Sequence, residues 1–351
     1  MEAAARSGRG LRAQGEPPEH ALFSKGETMT TASNSNVALG DGHGSSRPYV
    51  PARPTIPIDG GLLADRYAKF ELGARKIRWD DEGPVRIDWT TFDRGKLTLD
   101  NLLVVKLVTF VESYADVYTA LLLENFCVND TMATFFQLWE REETNHATKL
   151  VRYLEVVGLD PSELQASLQR PRSRKFDVPY VKTPLQANCF TYCQELLTAF
   201  FYQMFRRTVQ EPLLNEILTK IIADEWRHFH WYESVLKMHL ETDRKKTLEE
   251  CFPVLENFAM PGNQILGAEY EILTDEIIKR MRFSTSEIFQ IGRTITSTFG
   301  LIDGGRLIAR SSYARDMKDV VMRKKPPKPH HDEVVRSFIA DLEKALAASP
   351  A

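Results

Sequence analysis

Two short segments carry the same two residue types at the same spacing, Glu143-Thr144-Asn145-His146 and Glu225-Trp226-Arg227-His228. A separation of three places glutamate and histidine on one helix face, a turn apart and aimed at one region. Each pair lies on an apolar stripe. Phe136, Trp139, Glu143, His146, Leu150 and Tyr153 alternate in steps of three and four, as do Leu214, Leu218, Ile221, Glu225, His228, Tyr232 and Val235. Such stripes face a core, where charged side chains are almost never left unpaired. Two more glutamates stand at matching offsets upstream: Glu112 is 31 residues before Glu143, and Glu195 is 30 before Glu225. One carboxylate from each of two helices, with Glu-x-x-His from each of two others, is the ligand set of di-iron or di-manganese helix bundles.

Charge leads to the same chemistry. Four buried carboxylates without a counter-charge cost several kcal/mol each, and two divalent cations neutralise them. Carboxylate with imidazole suits iron or manganese, whereas structural zinc favours thiolate; no cysteine stands on these stripes at ligand spacing. Competing readings exist residue by residue. Glu112 can be a core carboxylate paired to Lys106, Asp116 one turn on can replace it as ligand, and Glu124 lies near the expected hairpin turn. His230 and His239 fall off the stripe and are expected to be solvated or packed.

The elements that must position these groups are helices. The pattern predicts four long ones over 97–126, 131–157, 185–209 and 212–240. Gly158 serves as a C-terminal cap and Pro212 sits in the first turn of the fourth. A short helix is expected near 63–72, followed by an irregular arm anchored by Trp79 and Trp89. Pro161 opens a short helical piece, and the stretch 170–184, with three prolines, is a long connection. Shorter helices follow Asp243, broken at Met260-Pro261-Gly262. Ser284-Thr285-Ser286-Glu287 is a capping box for another ending near Gly300, and an amphipathic segment covers 332–346. No run alternates convincingly as a strand. The expected fold is all-α, a four-helix bundle with additional helices and a di-metal site in its core. The expected division is a disordered extension over 1–60, a helical catalytic domain over 61–322 and a basic, proline-rich tail with a short helix over 323–351.

Composition bounds the rest. The chain has 351 residues, with 43% hydrophobic and 26% charged, as in an ordinary globular protein. A net charge of −3 argues against nucleic acid as the main partner. The most apolar run, 99–123, is interrupted by Asp100, Lys106, Glu112 and Asp116, so it reads as a buried core helix, not a membrane span. No secretory signal stands at the N-terminus, and Met29 offers a second start. An organellar transit sequence fits poorly with Glu2, Glu16, Glu19 and Glu27. Cys127, Cys189, Cys193 and Cys251 form no zinc or disulfide framework, so a cytoplasmic location is expected.

At these residues the chain resembles the soluble acyl-acyl-carrier-protein desaturases of the ferritin-like di-iron carboxylate superfamily. The matching pieces are WEREETNH, ADEWRH, QELLT around Glu195, and AMPGN after the fourth long helix, within a likeness spanning about 97–300. The resemblance implies two irons, bridged by Glu143 and Glu225. Glu112 and Glu195 would be terminal carboxylates, with His146 and His228 as terminal nitrogens. It implies that Thr198 stands beside the oxygen-binding side and that Asp224 and Arg227 support the ligands. Dioxygen as co-substrate, a ferredoxin-type reductant, acyl carrier protein bearing the substrate, and a homodimer follow as expectations. Arg170, Arg172, Arg174 and Lys175, or Lys279, Arg280 and Arg282, would form a basic docking face for an acidic carrier. Segment 76–89 departs from the family pattern, and the hairpin joining Glu112 to Glu143 is shorter than in plant members. Phe200, Phe201, Tyr202 and Phe205 are bulky on the expected substrate side, predicting a short or reshaped tunnel. Other di-iron oxygenases, a hydroxylase or an N-oxygenase, are the alternatives, although Ile221 and Ile222 stand where some N-oxygenases carry an extra histidine. A ferroxidase or iron-storage protein needs less than the roughly hundred further ordered residues found here.

Overall fold

The computed structural model describes residues 51–169, 178–281, 285–301 and 328–348, which lie in one compact unit beginning at Pro48. The helices are α1 (Gly60–Ile77), α2 (Leu99–Glu112), α3 (Ala115–Asn125), α4 (Asp130–Val157), α5 (Pro161–Gln169) and α6 (Pro184–Arg206). They continue with α7 (Pro212–Thr242), α8 (Arg244–Asn257), α9 (Gly262–Leu266), α10 (Ala268–Met281), α11 (Thr285–Phe299) and α12 (His331–Ala347). Among the described residues there is no strand, and no helix is long and apolar enough to cross a membrane.

The bundle consists of the α2–α3 pair, α4, α6 and α7. Helix α4 packs on α2, α3 and α7, while α6 runs along α7; α1 covers α4 and α7, and α12 covers α2 and α10. Local chemistry fixes where the long helices start. Asn129 accepts from the Met132 N–H to open α4, Thr183 from Gln186 N–H to open α6, and Glu211 from Leu213 and Leu214 N–H to open α7. Pro184 and Pro212 take first-turn positions, where a missing N–H costs nothing. Gly158, at φ 112°, ends α4 in the left-handed region that only glycine enters freely.

One expectation is corrected. The first long helix is not continuous: it breaks at Ser113-Tyr114, immediately after Glu112. No proline or glycine causes the break. The Thr109 hydroxyl donates to Val105 O at 2.7 Å and the Ser113 hydroxyl to Thr109 O at 2.6 Å, and such back-bonding bends helices. Lys106 is also reassigned. It does not pair with Glu112, but binds Asp341 of α12 at 2.8 Å and the carbonyl of Phe338 at 2.6 Å. The core is a single cluster of aliphatic and aromatic side chains running from Ile56 through the bundle to α12, and all four cysteines are buried and outside any disulfide.

Of the extension expected over 1–60, residues 1–50 lie outside the described residues, whereas 51–60 pack on the bundle, with Ile56 buried and the Ala52 N–H donating to Cys127 O at 2.7 Å. The basic cluster at Arg170, Arg172, Arg174 and Lys175, and Arg282, also lie outside them. The tail before Lys328 does so too. Within the other basic cluster, Arg280 is paired to Asp100 at 2.7 Å and to Glu276 at 2.7 Å, and Lys279 stands 4.0 Å from Glu276.

Candidate metal centre

The stripes of α4 and α7 face each other across the bundle and bring both Glu-x-x-His pairs together. Glu112, the last residue of α2, and Glu195, in the middle of α6, complete the group. Two sets of four ligand atoms lie within 4.8 Å of one another: Glu112, Glu143, His146 and Glu225 form one, and Glu143, Glu195, Glu225 and His228 the other. Glu143 and Glu225 belong to both, so they stand between the two sets. Glu143 extends one oxygen toward each imidazole, Oε2 at 3.2 Å from His146 Nδ1 and Oε1 at 3.0 Å from His228 Nδ1. Glu225 Oε1 is 3.4 Å from His146 Nδ1. The terminal carboxylates are farther, Glu112 Oε2 at 3.7 Å from His146 Nδ1 and Glu195 Oε2 at 3.7 Å from His228 Nδ1. All six side chains are buried.

Both histidines therefore present Nδ1 to the cluster, and a carboxylate holds the other nitrogen. Asp224 Oδ2 is 3.1 Å from His146 Nε2, and Glu142 Oε2 is 2.9 Å from His228 Nε2. The support crosses the bundle: α7 holds the histidine of α4, and α4 holds that of α7. Arg227 joins the two supports, 2.6 Å from Asp224 and 2.7 Å from Glu142. Trp79, in the arm after α1, donates to Asp224 at 2.7 Å and stacks on His146 with ring centroids 5.8 Å apart. Each terminal carboxylate also has an aromatic donor. Trp139 Nε1 donates to Glu195 Oε1 at 3.1 Å, and the Tyr202 hydroxyl donates to Glu112 Oε1.

The donor set fits a pair of cations. Glu143 Oε1 and His228 Nδ1 approach to 3.0 Å without forming a hydrogen bond, and Glu225 Oε1 is likewise buried without one, a costly state for polar atoms unless something else binds them. Without a cation, protons take its place. Burial and the charge of Glu143 push Glu112 up to about 7 and Glu225 well above the usual carboxylate range. Burial opposes protonation of His146 and His228, yet the carboxylates around them raise both well above an ordinary imidazole. Burial works against Asp224 as well, but the bond to His146 and the Arg227 charge lower it to about 2. Asp224 thus stays an acceptor, fixing which His146 nitrogen faces the cluster.

Thr198 is half-buried and lines two cavities beside the ligands. One, of about 30 Å³, touches Glu112, Glu143, Glu195 and Glu225 together with Tyr118, Met260 and Pro261. The other, of about 50 Å³, continues between α2, α6 and α10 past Leu107, Phe201, Tyr202 and Tyr270. Of the four bulky residues of α6, Phe201 and Tyr202 narrow this space. Phe205 is core, and Phe200 packs edge-on against Trp226 with centroids 5.4 Å apart. Asp116 and Glu124 are exposed on α3 and take no part in either ligand set. His230 is exposed beside Glu233, and His239 is buried away from the cluster. Sequence reasoning missed Glu142, Tyr202 and Trp139 as supporting groups. For Glu142 a signal existed, because each shared glutamate follows an acid, Glu142-Glu143 and Asp224-Glu225. The partners of Trp139 and Tyr202 depend on tertiary packing alone.

Comparison with known proteins gives the chain a family. Residues 104–323, more than half of the chain, match the family described as "Fatty acid desaturase". Two proteins of Mycobacterium tuberculosis, DesA1 and DesA2, are named as candidate acyl-acyl-carrier-protein desaturases. DesA1 is 24% identical over 188 residues, covering 51% of this chain and 55% of DesA1. DesA2 is 23% identical over 162 residues, covering 44% and 55%. The chain thus spans about half the length of these relatives. The X-ray structure of DesA2 superposes with a TM-score of 0.45 and 16% identity over 68% of this chain and 93% of DesA2. On the match over residues 104–323, this chain belongs to the fatty acid desaturase family.

Proposed function

We propose that the protein is an oxygen-dependent di-iron desaturase that introduces a double bond into an acyl chain carried on acyl carrier protein. The observation that carries this reading is the pair of four-ligand sets sharing Glu143 and Glu225, with small, mainly apolar cavities against them. Glu112, Glu143, His146, Glu195, Glu225 and His228 would hold the two irons. When bound, the irons supply binding and reductive activation of dioxygen for oxidation of an unactivated C–H bond. The overall balance takes two hydrogens from adjacent carbons and, with two electrons from a ferredoxin-type donor and two protons from solvent, converts dioxygen into two waters.

The chain's own residues set the conditions for this. Asp224 and Glu142 hold His146 and His228 with Nδ1 inward, and Arg227 balances both supports. Thr198, like Glu112, lines both cavities. The cavities are much smaller than an acyl chain, so Phe201, Tyr202 and Tyr118 must move for one to pass. In their observed positions they narrow the way to the ligands. The relatives named as acyl-acyl-carrier-protein desaturases support the choice of acyl substrate and carrier. The test is a single turnover. The iron-loaded, reduced protein is mixed with oxygen and saturated acyl-carrier substrates of graded length, and products are weighed by mass spectrometry. Loss of two hydrogens is expected. Gain of one oxygen would replace this reading with a hydroxylase or N-oxygenase, and iron oxidation indifferent to substrate would replace it with a ferroxidase or storage role.

A further inference from the structure

A small recess of about 20 Å³ lies between α3, α4, α6 and α7, with Ile58 of the segment before α1 on its wall. That wall is mostly apolar, with Leu122, Met132, Phe136 and Val235 among its side chains. Four polar side chains among the described residues share it: Asn188, Thr191, Tyr232 and His239, all buried. Thr191 turns its hydroxyl to Ala187 O at 3.0 Å. The other three each keep one buried atom without a hydrogen-bond partner, Asn188 Oδ1, the Tyr232 hydroxyl and His239 Nδ1. The Asn188 amide nitrogen donates to Tyr232 O at 3.2 Å. A carbonyl can only accept, so the oxygen is the end of the amide left over. Polar atoms buried in this state are costly unless a guest binds them, and the recess has room for one water-sized group.

The recess opens off a larger space. Leu122, Phe126, Ala187 and Thr191 line both it and a cavity of about 460 Å³ between α3 and α6. Tyr118 in turn lines both that cavity and the one against the metal ligands. Ligand cavity, aliphatic space and polar recess therefore follow one another. We propose that the recess binds a hydroxyl at the far end of an aliphatic chain held in the larger space, and that this chain is the acyl substrate. A hydroxyl can donate to Asn188 Oδ1 and accept from Tyr232, and a neutral imidazole takes either role. Burial keeps His239 neutral by lowering it to about 4, so no cation waits there for a carboxylate. A methyl end would leave all three atoms unpaired, and an ether or ketone offers Asn188 no donor. A carboxylate would lose its hydration and set acceptor against acceptor. Identifying the guest as substrate rests on the desaturase reading; the site itself does not.

Calorimetric titration of the full chain as purified tests the site apart from turnover. The probes are n-octanol, its isomer heptyl methyl ether, and octanoate. Octanol is expected to bind about tenfold tighter than the ether, with octanoate weakest. Asn188→Leu and His239→Leu are each expected to lose about tenfold in octanol affinity and to keep that for the ether. Thermal unfolding shows that each variant is folded, and either one alone suffices. A crystal of the octanol complex is expected to place the hydroxyl against Asn188 Oδ1. Equal affinity for octanol and the ether, or water in the recess with the octanol hydroxyl elsewhere, overturns the site. The iron-loaded protein is then given acyl-carrier substrates of matched length with and without a terminal hydroxyl. The hydroxylated one is expected to be favoured by about tenfold in kcat/KM. No preference overturns the link to the substrate. Octanol bound in the recess while no acyl chain is turned over keeps the site and overturns the desaturase reading instead.

Discussion

The cross-bundle supports make the strongest demand on single residues. Asp224 and Glu142 do not touch the expected ions, but each fixes a histidine through Nε2. Loss of such a support costs about 10- to 100-fold in metal affinity in comparable sites. Asp224→Ala and Glu142→Ala are each expected to lose about that much, checked by competitive ferrous-ion titration against a chelator. Because Asp224 serves His146 and Glu142 serves His228, each variant is expected to weaken one of two binding steps. Equal weakening of both steps would contradict the crossed arrangement. His239 gives a separate, pH-dependent prediction. It is buried far from the ligands, and burial lowers it from 6.5 to about 4. Below pH 6.5 the unfolded chain takes up a proton at this site that the folded one refuses. Stability therefore falls as pH drops from 6.5 toward 4, by up to about 3 kcal/mol from this group. His239→Leu is expected to lose less stability than wild type between pH 7.5 and 4.5, measured by urea unfolding at both. The ligand residues themselves were legible, since Glu-x-x-His twice, with matched upstream glutamates, admits few uses in a core. Tyr202 and Trp139 were not, because a phenol or indole on an apolar stripe reads as packing until its partner is seen.

Among the elements, the long helices followed from apolar periodicity, with Gly158 and Pro212 marking the end of one and the start of another. The break between α2 and α3 did not. It arises where Thr109 and Ser113 turn their hydroxyls back on the preceding turn, a choice between rotamers that the sequence leaves open. It ends α2 at Glu112 and lets α3 carry Tyr118 to a wall of the ligand cavity. Tyr118 also lines a second, larger space of about 460 Å³ between α3 and α6, bounded by Leu121, Leu122, Phe126, Val178 and Phe190. Among the residues lining these two spaces, Tyr118 is the one they share. At ~30 Å³ for a group the size of a water molecule, the larger space holds on the order of ten methylenes. Tyr118→Ala is expected to join the two and shift turnover toward longer acyl chains, read as the product distribution from a mixed-length substrate panel. An unchanged distribution would place the distal end of the chain elsewhere.

For the molecule as a whole, the C-terminal helix α12 closes over α2 and α10 through contacts with no local signature. Lys106 reaches Asp341 across 235 residues, and Arg94 donates to Val157 O and Ala348 O at 2.9 Å each. Periodicity located α12 but gave no indication of what it covers, and Lys106 had a nearer partner in Glu112 by sequence. Lys106 is buried while Asp341 is 39% exposed, so the pair is only partly shielded from solvent. Asp341→Ala is expected to cost about 1–2 kcal/mol, less than a fully buried pair. The double change Lys106→Met with Asp341→Leu is expected to recover most of it in urea unfolding, since an apolar pair removes the stranded charge. Failure of the double change to recover stability would mean that α12 is held mainly by its apolar face.

The centre itself can be tested without any substrate. Anaerobic crystals of the ferrous-loaded protein, with iron located by anomalous scattering, are expected to show two ions per chain. Oxygens of Glu143 and Glu225 should bind both, and Nδ1 of His146 and His228 should bind one each. A single ion, ions outside the bundle core, or coordination through Nε2 would contradict the account.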